Sequence, residues 1–383
     1  MDGVKIAVVL TARPSWAKLS SLCAALKQRP DVELEIIACA SALLERYGKV
    51  VDVVKAEGYD IAAECWTVHE GENLLTSAKE TGALLLELSS VLSRLSPDGV
   101  VVCADRHEVL AAAQAASYQH LQLVHLQGGE RTGSIDDKVR DAITQLADYH
   151  FVTTKRAAMR VYALTGAHDR IWALGCPSID VAKHAMTDPP VTADELGGAG
   201  APIDLAHSFL TVLQHPNTEE TADAGRQMQV TLEAACASNI QVLVLWPGQD
   251  AGSGAMSKAL RARQERVHTV RNLPPSRFLR LLTQTRCLIG NSSAGIREAS
   301  YLGTPVVNVG TRQQGRERAH NVIDVDYQVA DIKAAIEVQA QYGRYKSDTT
   351  YGTGNAGERI AEVLCRTIGA QEGVRKEIRA KVR

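Results

Sequence analysis

The residues with the strongest chemical potential sit where strand-like runs turn into helix-like ones. "VVVCADRHEVLAAAQAA" puts Asp105 and Arg106 at such a junction. Asp105 is either a plain cap for the alanine-rich helix that follows or an acid facing a ligand. "HLQGGERTGSIDDKVRDAITQLADYH" adds Gln127 and Glu130 in a glycine-rich loop, then Asp136, Asp137 and Arg140 in the first turns of an amphipathic helix. Asp136 and Arg140 are four apart and share a helix face, so the spacing predicts an acid held close to a cation. A surface ion pair is the alternative. Carboxylates gathered in this way suit general acid–base work. Gln127 stands out among them, because an amide can hydrogen-bond but cannot take up a proton.

A second group of residues suits an anion. "CLIGNSSAGIREASYLGTPVVNVG" reads as strand, turn, helix, turn, strand, with Asn291 or Ser292 as the cap and Gly303 with Pro305 as the stop. Free N–H groups, the Ser292 and Ser293 hydroxyls and a positive dipole end would fit a diphosphate. Glu298, further along, would then be within reach of a ribose diol; otherwise it is a surface charge. "NVGTRQQGRERAH" places Arg312, Arg316 and Arg318 after a strand, Arg312 nearest its end, where a guanidinium can clamp phosphate. "TVLQHPNTEE" puts His215 after another strand, as a substrate contact or a structural imidazole. Neither G-x-x-x-x-G-K-[ST] nor G-x-G-x-x-G occurs, so the serine-fronted helix is the expected phosphate donor.

The elements that must position these groups follow from the pattern. The strand candidates "VKIAVVL", "VELEIIAC", "DGVVVCA", "LQLVH" and "YHFVT", then "SFLTVLQ", "IQVLVLW", "RCLIGN" and "TPVVNVG", alternate with helical periodicity. That alternation predicts parallel sheets covered by helices. A chain of 383 residues exceeds what one core organises. The prolines and glycines concentrated near 176–206 mark the expected linker. The reading is therefore α/β, two Rossmann-like domains with parallel sheets facing a central cleft, where ligands meet the carboxyl ends of the strands. At 45% hydrophobic and 22% charged, with a net charge of −2, the composition gives no basic field for nucleic acid. The eight cysteines are scattered singly and mostly within apolar runs, which predicts core thiols in a reducing cytoplasm. No signal peptide or membrane span is expected. The basic tail "GVRKEIRAKVR" reads as a solvated helix end.

Taken together, "LTARPSWAKL", "ADRHEVLAAA", "GGERTGSIDDKVRDAITQLADYHF", "LGCPSID", "LQHPNTEE", "DAGSGAMSKALR" and "GNSSAGIREASYLGTPVVNVGTRQQGRE" resemble the UDP-N-acetylglucosamine 2-epimerase family. The match is in order over nearly the whole chain. Within the family it is similar to the hydrolysing branch of sialic and legionaminic acid synthesis. The resemblance implies a GT-B-like fold: an N-terminal catalytic domain over 1–178, a nucleotide-binding domain over 179–354, and helices over 355–383 that return to the first domain. It implies a nucleotide site at Arg13, Arg106, Ser292, Ser293, Glu298 and Arg312. The catalytic groups fall on Asp105, Asp136 and position 127, with Glu130, Arg140 and His215 in support. Position 127 is glutamate in the best-known members and Gln127 here. Asparagine often follows the proline of "WPGQDAG", where this chain has Gly248.

The implied chemistry couples removal of the sugar's C2 proton to loss of the nucleotide diphosphate, giving a 2-acetamidoglycal that water then hydrates to the manno product. That route needs no metal or other cofactor, and no ligand cluster for one is evident in the sequence. Glu130 would replace or supplement position 127, with Gln127 orienting water or the N-acetyl group. The implied partner is a UDP-sugar, and the implied assembly a homodimer or homotetramer. The alternatives are a non-hydrolysing epimerase or a GT-B glycosyltransferase, which would share the nucleotide half, and a catalytically silent sugar-nucleotide binding protein, suggested by Gln127.

Overall fold

The computed structural model describes residues 3–71, 73–248 and 250–382, with side chains of the final helix described as far as Gly369. The basic tail's side chains lie outside the described residues. β1 (Val4–Leu10), β2 (Val32–Cys39), β3 (Ile61–Cys65), β4 (Gly99–Cys103), β5 (Gln122–Leu126), β6 (Tyr149–Val152) and β7 (Ile171–Ala173) form one parallel sheet in the order β3-β2-β1-β4-β5-β6-β7. A second sheet takes the order β14-β13-β12-β9-β10-β11-β8. Its strands are β8 (Ala199–Gly200), β9 (Phe209–Val212), β10 (Gln241–Leu245), β11 (His268–Val270), β12 (Cys287–Gly290), β13 (Val306–Val309) and β14 (Val322–Val325). β8 alone runs antiparallel, against β11. The nine strands expected from the sequence all form; β3, β7, β8, β11 and β14 complete the sheets.

The central strands are apolar end to end because helices cover both faces, as in the run from Ile6 to Leu10, which is almost wholly inaccessible. Burying each large aliphatic side chain stabilises the fold by about 1.5–3 kcal/mol. Seven of the eight cysteines are buried, Cys236 is half-buried, and all are free thiols.

The strand order reverses between β1 and β4 in the first sheet and between β9 and β12 in the second. At such switch points adjacent loops part in opposite directions and leave a crevice at the carboxyl ends. The four strand ends lead to Arg13, Asp105, His215 and Ser292, respectively. Topology alone thus gathers most of the candidate residues.

The segment expected to be a linker is more ordered than its prolines and glycines suggest. Pro177 opens a helix, Pro177–Ala185, that packs between helix Arg13–Lys27 of the first domain and helix Pro275–Gln284 of the second. The chain's end is one helix, Ala356–Val382, rather than several, and it packs on helix Arg13–Lys27. Asp180 fixes that return by accepting from the Ala356 and Gly357 N–H groups at 2.9 and 2.7 Å and from Ser21 Oγ at 2.9 Å. Those amides belong to the unsatisfied first turn of the final helix, where a carboxylate is favoured.

Candidate active site

A cavity of about 320 Å³ lies between the domains. The first domain lines it with Arg13, Lys18, Asp105, Arg106 and Asp136, and the second with His215, Asp250, Ser292, Ser293 and Arg312. The domains also bond across it. Arg106 Nη1 reaches Asp250 at 2.8 Å, and Arg13 Nη1 donates to the Arg271 carbonyl at 2.6 Å. Asn272 Nδ2 donates to the Gly48 carbonyl at 2.8 Å.

Several strand ends of the first sheet carry unusual backbone, Ala40 after β2 (φ 51°) among them. Ala104 after β4 (φ 70°) and Gln127 after β5 (φ 66°) are left-handed without being glycine. Such residues cost of order 1–3 kcal/mol each and mark places where the chain is aimed. Ala104 turns the chain into Asp105. Asp105 does not cap the helix His107–Tyr118; Oδ2 instead accepts a charge-assisted bond from Arg140 Nη2. Arg140 is 1% exposed, and its other arm donates to Asp137 Oδ1 at 2.6 Å and to the Glu130 carbonyl at 2.7 Å.

The expected Asp136–Arg140 pair is therefore corrected to Asp105–Arg140–Asp137. Asp137 folds the glycine-rich loop, accepting from Thr132 N at 2.8 Å, Thr132 Oγ1 at 2.9 Å and Gly133 N at 2.8 Å. With Arg140 occupied by its neighbours, Asp136 lines the cavity without that cation. Burial raises the Asp136 pKa, Arg312 opposes the shift and Asp250 adds to it, so this carboxyl holds its proton more tightly than an ordinary aspartate.

Gln127 and Glu130 are not on the cavity wall. Gln127 is buried, accepts from Arg297 Nη1 at 2.7 Å and donates from Nε2 to Cys176 Sγ at 3.0 Å. Glu130 accepts from Thr153 Oγ1 at 2.9 Å, Arg297 Nη1 at 3.3 Å and Arg316 Nε at 2.6 Å. Burial alone would raise the Glu130 pKa, but the two arginines pull it down to about 2. A carboxylate held this way is a poor proton acceptor. The expectation that Glu130 stands in for a glutamate at 127 does not fit its surroundings.

On the second domain, Ser292 caps a helix through the Ala294 amide at 3.3 Å. The expected single helix is interrupted at Arg297 into Ser293–Ile296 and Glu298–Leu302, where Arg297 sends its side chain toward Gln127 and Glu130. A four-residue helix has little macrodipole, so hydroxyls and arginines are the stronger anion donors here. Asn291 does not cap; it accepts from the His215 amide at 2.7 Å and donates to the His215 carbonyl at 2.8 Å. The loop arginines divide their tasks. Arg316 joins Glu130 and Gln313, Arg318 pairs with Asp324 at 2.8 Å, and Arg312 lines the cavity beside the Asn291 carbonyl.

His215 is held neutral by burial and by Arg312, its pKa lowered to about 3. Its Nδ1 accepts from the Gly248 amide at 3.3 Å, which leaves Nε2 carrying the hydrogen as a donor. A Cβ at position 248 would meet that imidazole only at ordinary contact, 3.8 Å, so sterics do not require glycine there. Glu298 is buried off the cavity wall, and its Oε2 finds no partner among the described residues.

Further charged residues line the cavity, Asp250 and Lys18 among them. Asp250 follows the expected strand "IQVLVLW" and meets Arg106. Lys18 lies within "LTARPSWAKL", four residues from Pro14 on one helix face, and both line the cavity. Glu80, His107 and Glu108 bring ligand-type atoms within 4.8 Å of one another. Those atoms are already engaged: His107 bonds Glu80 at 3.2 Å, and Arg106 holds Glu108 through Nη2 at 3.0 Å. No helix among the described residues is long and apolar enough to cross a membrane.

A family model described as UDP-N-acetylglucosamine 2-epimerase matches residues 24–365. Among similar proteins is the UDP-N,N'-diacetylbacillosamine 2-epimerase (hydrolyzing) of Legionella pneumophila, 31% identical over 362 residues, covering 94% of this chain and 95% of that one. The UDP-N-acetylglucosamine 2-epimerase of Neisseria meningitidis serogroup B is 28% identical, with 94% of each chain covered. Solved structures include a UDP-GlcNAc 2-epimerase from Neisseria meningitidis bound to UDP-GlcNAc, with a TM-score of 0.78 at 17% identity, covering 95% of this chain and all of that one. At such identity the likeness is one of fold, the GT-B-like pairing of two Rossmann-like domains.

Proposed function

The chain belongs to the UDP-N-acetylglucosamine 2-epimerase family, and from that premise we propose that it is a hydrolysing member acting on a UDP-sugar. It would convert UDP-N-acetylglucosamine, or a deoxy or diacetamido relative, to the N-acetylmannosamine-type sugar and UDP through a 2-acetamidoglycal. One observation carries this reading: a single cavity has carboxyl groups on one wall, at Asp105 and Asp136, and anion donors on the other, at Ser292, Ser293, Arg312 and His215.

Elimination needs a departing diphosphate stabilised while a proton leaves C2. In this reading Ser292 and Ser293 hydroxyls, Arg312 and the neutral His215 N–H bind the diphosphate, and Arg13 and Arg106 close the domains over it. Asp136, whose pKa is raised, serves as the acid that protonates C2. Asp105, fixed by Arg140, orients the sugar or the attacking water. Gln127, Glu130 and Arg140 are positioning residues. The 31% identity to a relative named as hydrolysing supports hydrolysis over intact epimerisation. The reading includes a homo-oligomer working in the cytoplasm.

The test is to incubate the purified chain with UDP-N-acetylglucosamine and with its 2,4-diacetamido-2,4,6-trideoxy counterpart, following products by ¹H and ³¹P NMR. UDP with a free manno-configured sugar is expected from at least one. Epimerised but intact UDP-sugar would instead mark a non-hydrolysing enzyme, and binding without turnover a silent one.

A further inference from the structure

Arg106 lines the cavity from the first domain and is gripped on two sides. Asp250 of the second domain takes its Nη1 at 2.8 Å, and Glu108 takes Nε at 3.1 Å and Nη2 at 3.0 Å. The two-point grip of Glu108 fixes the plane of the guanidinium as well as its place. Glu108 is wholly buried and next to His107 at the start of helix His107–Tyr118. His107 Nδ1 lies 3.4 Å from Glu108 Oε2, and Nε2 lies 3.2 Å from Oε2 of Glu80, on helix Leu74–Leu95. Glu80 is buried too, and accepts from the His69 amide at 2.9 Å.

Geometry sets the charge of the ring. A neutral imidazole has one N–H and one bare lone pair, so one of the two carboxylates would face a lone pair; only the imidazolium offers each of them a donor. Asp250, Arg106, Glu108, His107 and Glu80 then alternate in sign from the cavity to the interior of the first domain, and no buried carboxylate lacks a counter-charge. The surroundings add no competing group. Of the charged residues on helix Leu74–Leu95, Glu80 alone is buried, while Lys79, Glu87 and Arg94 are exposed. Helix Asp136–Leu146 also packs on His107–Tyr118, but its Asp137 and Arg140 pair with each other, Asp141 pairs with Arg131, Lys138 is exposed and Asp136 faces the cavity. His125 of β5 is bonded to the Ala104 carbonyl at 2.9 Å. Burial works against a charged ring, as does Arg106, but Glu108 and Glu80 outweigh them and raise the His107 pKa.

We propose that His107 is a positioning residue for diphosphate binding: set between Glu80 and Glu108, it fixes the carboxylate that aims Arg106 into the cavity. This rests on the reading of the cavity as a UDP-sugar site. When the ring gives up its proton, one carboxylate loses its donor, Glu108 is no longer held from behind, and the guanidinium loses its fixed plane. Nucleotide affinity is thereby tied to a proton held beside the cavity, on a side chain that acts only through Arg106.

The test is UDP affinity by calorimetry in the full-length chain, with each variant compared to wild type at the same pH so that the ionisation of UDP itself cancels. His107→Phe keeps a ring and removes both donors. At pH 6 it should weaken UDP about tenfold, and the difference should shrink as pH rises and the wild-type ring loses its proton. In an Arg106→Gln background the same substitution should cost less than about twofold, because its effect passes through Arg106. His107→Lys, which keeps its charge across this range, should bind UDP within about threefold of wild type at pH 6 and hold that affinity at alkaline pH. Long-range ¹H–¹⁵N NMR of the wild type, which depends on no variant folding, should show both His107 ring nitrogens protonated at pH 6. One bare nitrogen there overturns the proposal, as does an unchanged affinity in His107→Phe, or an undiminished loss in the Arg106→Gln background. If the wild type binds no UDP at all, the UDP-sugar reading falls and takes this proposal with it.

Discussion

Arg297 Nη1 donates to Gln127 Oε1 at 2.7 Å, so a buried guanidinium of the second domain is tied to the position where this chain departs from its family. Its other contact is Glu130, which makes Arg297 a strut between the domains. Gln127→Glu should therefore be accommodated: the new carboxylate faces a cation already in place. The variant should fold and turn over with the pH profile of kcat close to that of wild type, because position 127 lies off the cavity wall. Gln127→Ala removes one hydrogen-bonding group and should cost about 1–2 kcal/mol in kcat/KM. Steady-state pH profiles of both variants check this.

Ser292 and Ser293 provide two hydroxyls on the anion-binding wall. Replacing both with alanine should weaken UDP binding by roughly 2–4 kcal/mol, the loss of two contacts to charged phosphate. Titration calorimetry measures it directly, and unchanged affinity would move the diphosphate elsewhere in the cavity.

Asp136 is free of Arg140 and its pKa is raised by burial, as suits an acid that acts only in the transition state. Asp136→Asn should lower kcat at least ~100-fold and leave UDP affinity within about threefold of wild type. Comparable losses in both would make it a binding residue.

Glu130 makes a separate prediction, about stability. Its folded pKa, about 2, lies below the ordinary carboxylate value of 4.5. The sign is that of a depressed acid: its contribution is fully present above the unfolded pKa and is lost as pH falls from about 4.5 toward 2. Glu130→Ala leaves Arg297 and Arg316 buried without their counter-charge and should destabilise the fold by about 3–5 kcal/mol. Denaturant unfolding at neutral pH and at pH 3 should show the difference between wild type and variant narrowing in acid.

The strands legible in the sequence are those with helices on both faces, where burial enforces an apolar run. β3, "IAAEC", and β14, "VIDV", lie at sheet edges, are only partly buried and carry polar residues, so their signal is weak. β7, β8 and β11 are only two or three residues long. Residues on strand ends were legible for the same topological reason, since a parallel sheet delivers its carboxyl ends to one crevice. Partner choice was not. Helical spacing placed Asp136 and Arg140 on one face, but it could not show that Arg140 would be claimed by Asp105 from another strand. Nor could it show that Glu130 would be locked by arginines almost 170 and 190 residues away. Nothing local in "LTARPSWAKL" marks Lys18 as a residue of the cavity wall.

The central claim is cleavage of the sugar's C1–O bond by elimination followed by hydration, and the most direct measurement is turnover in D₂O enriched in ¹⁸O, read by NMR and mass spectrometry. The account predicts a free manno-configured sugar with deuterium at C2 and ¹⁸O at C1, and UDP carrying no new ¹⁸O. Label appearing in the phosphate of UDP, or a product that keeps its original C2 hydrogen, would contradict it.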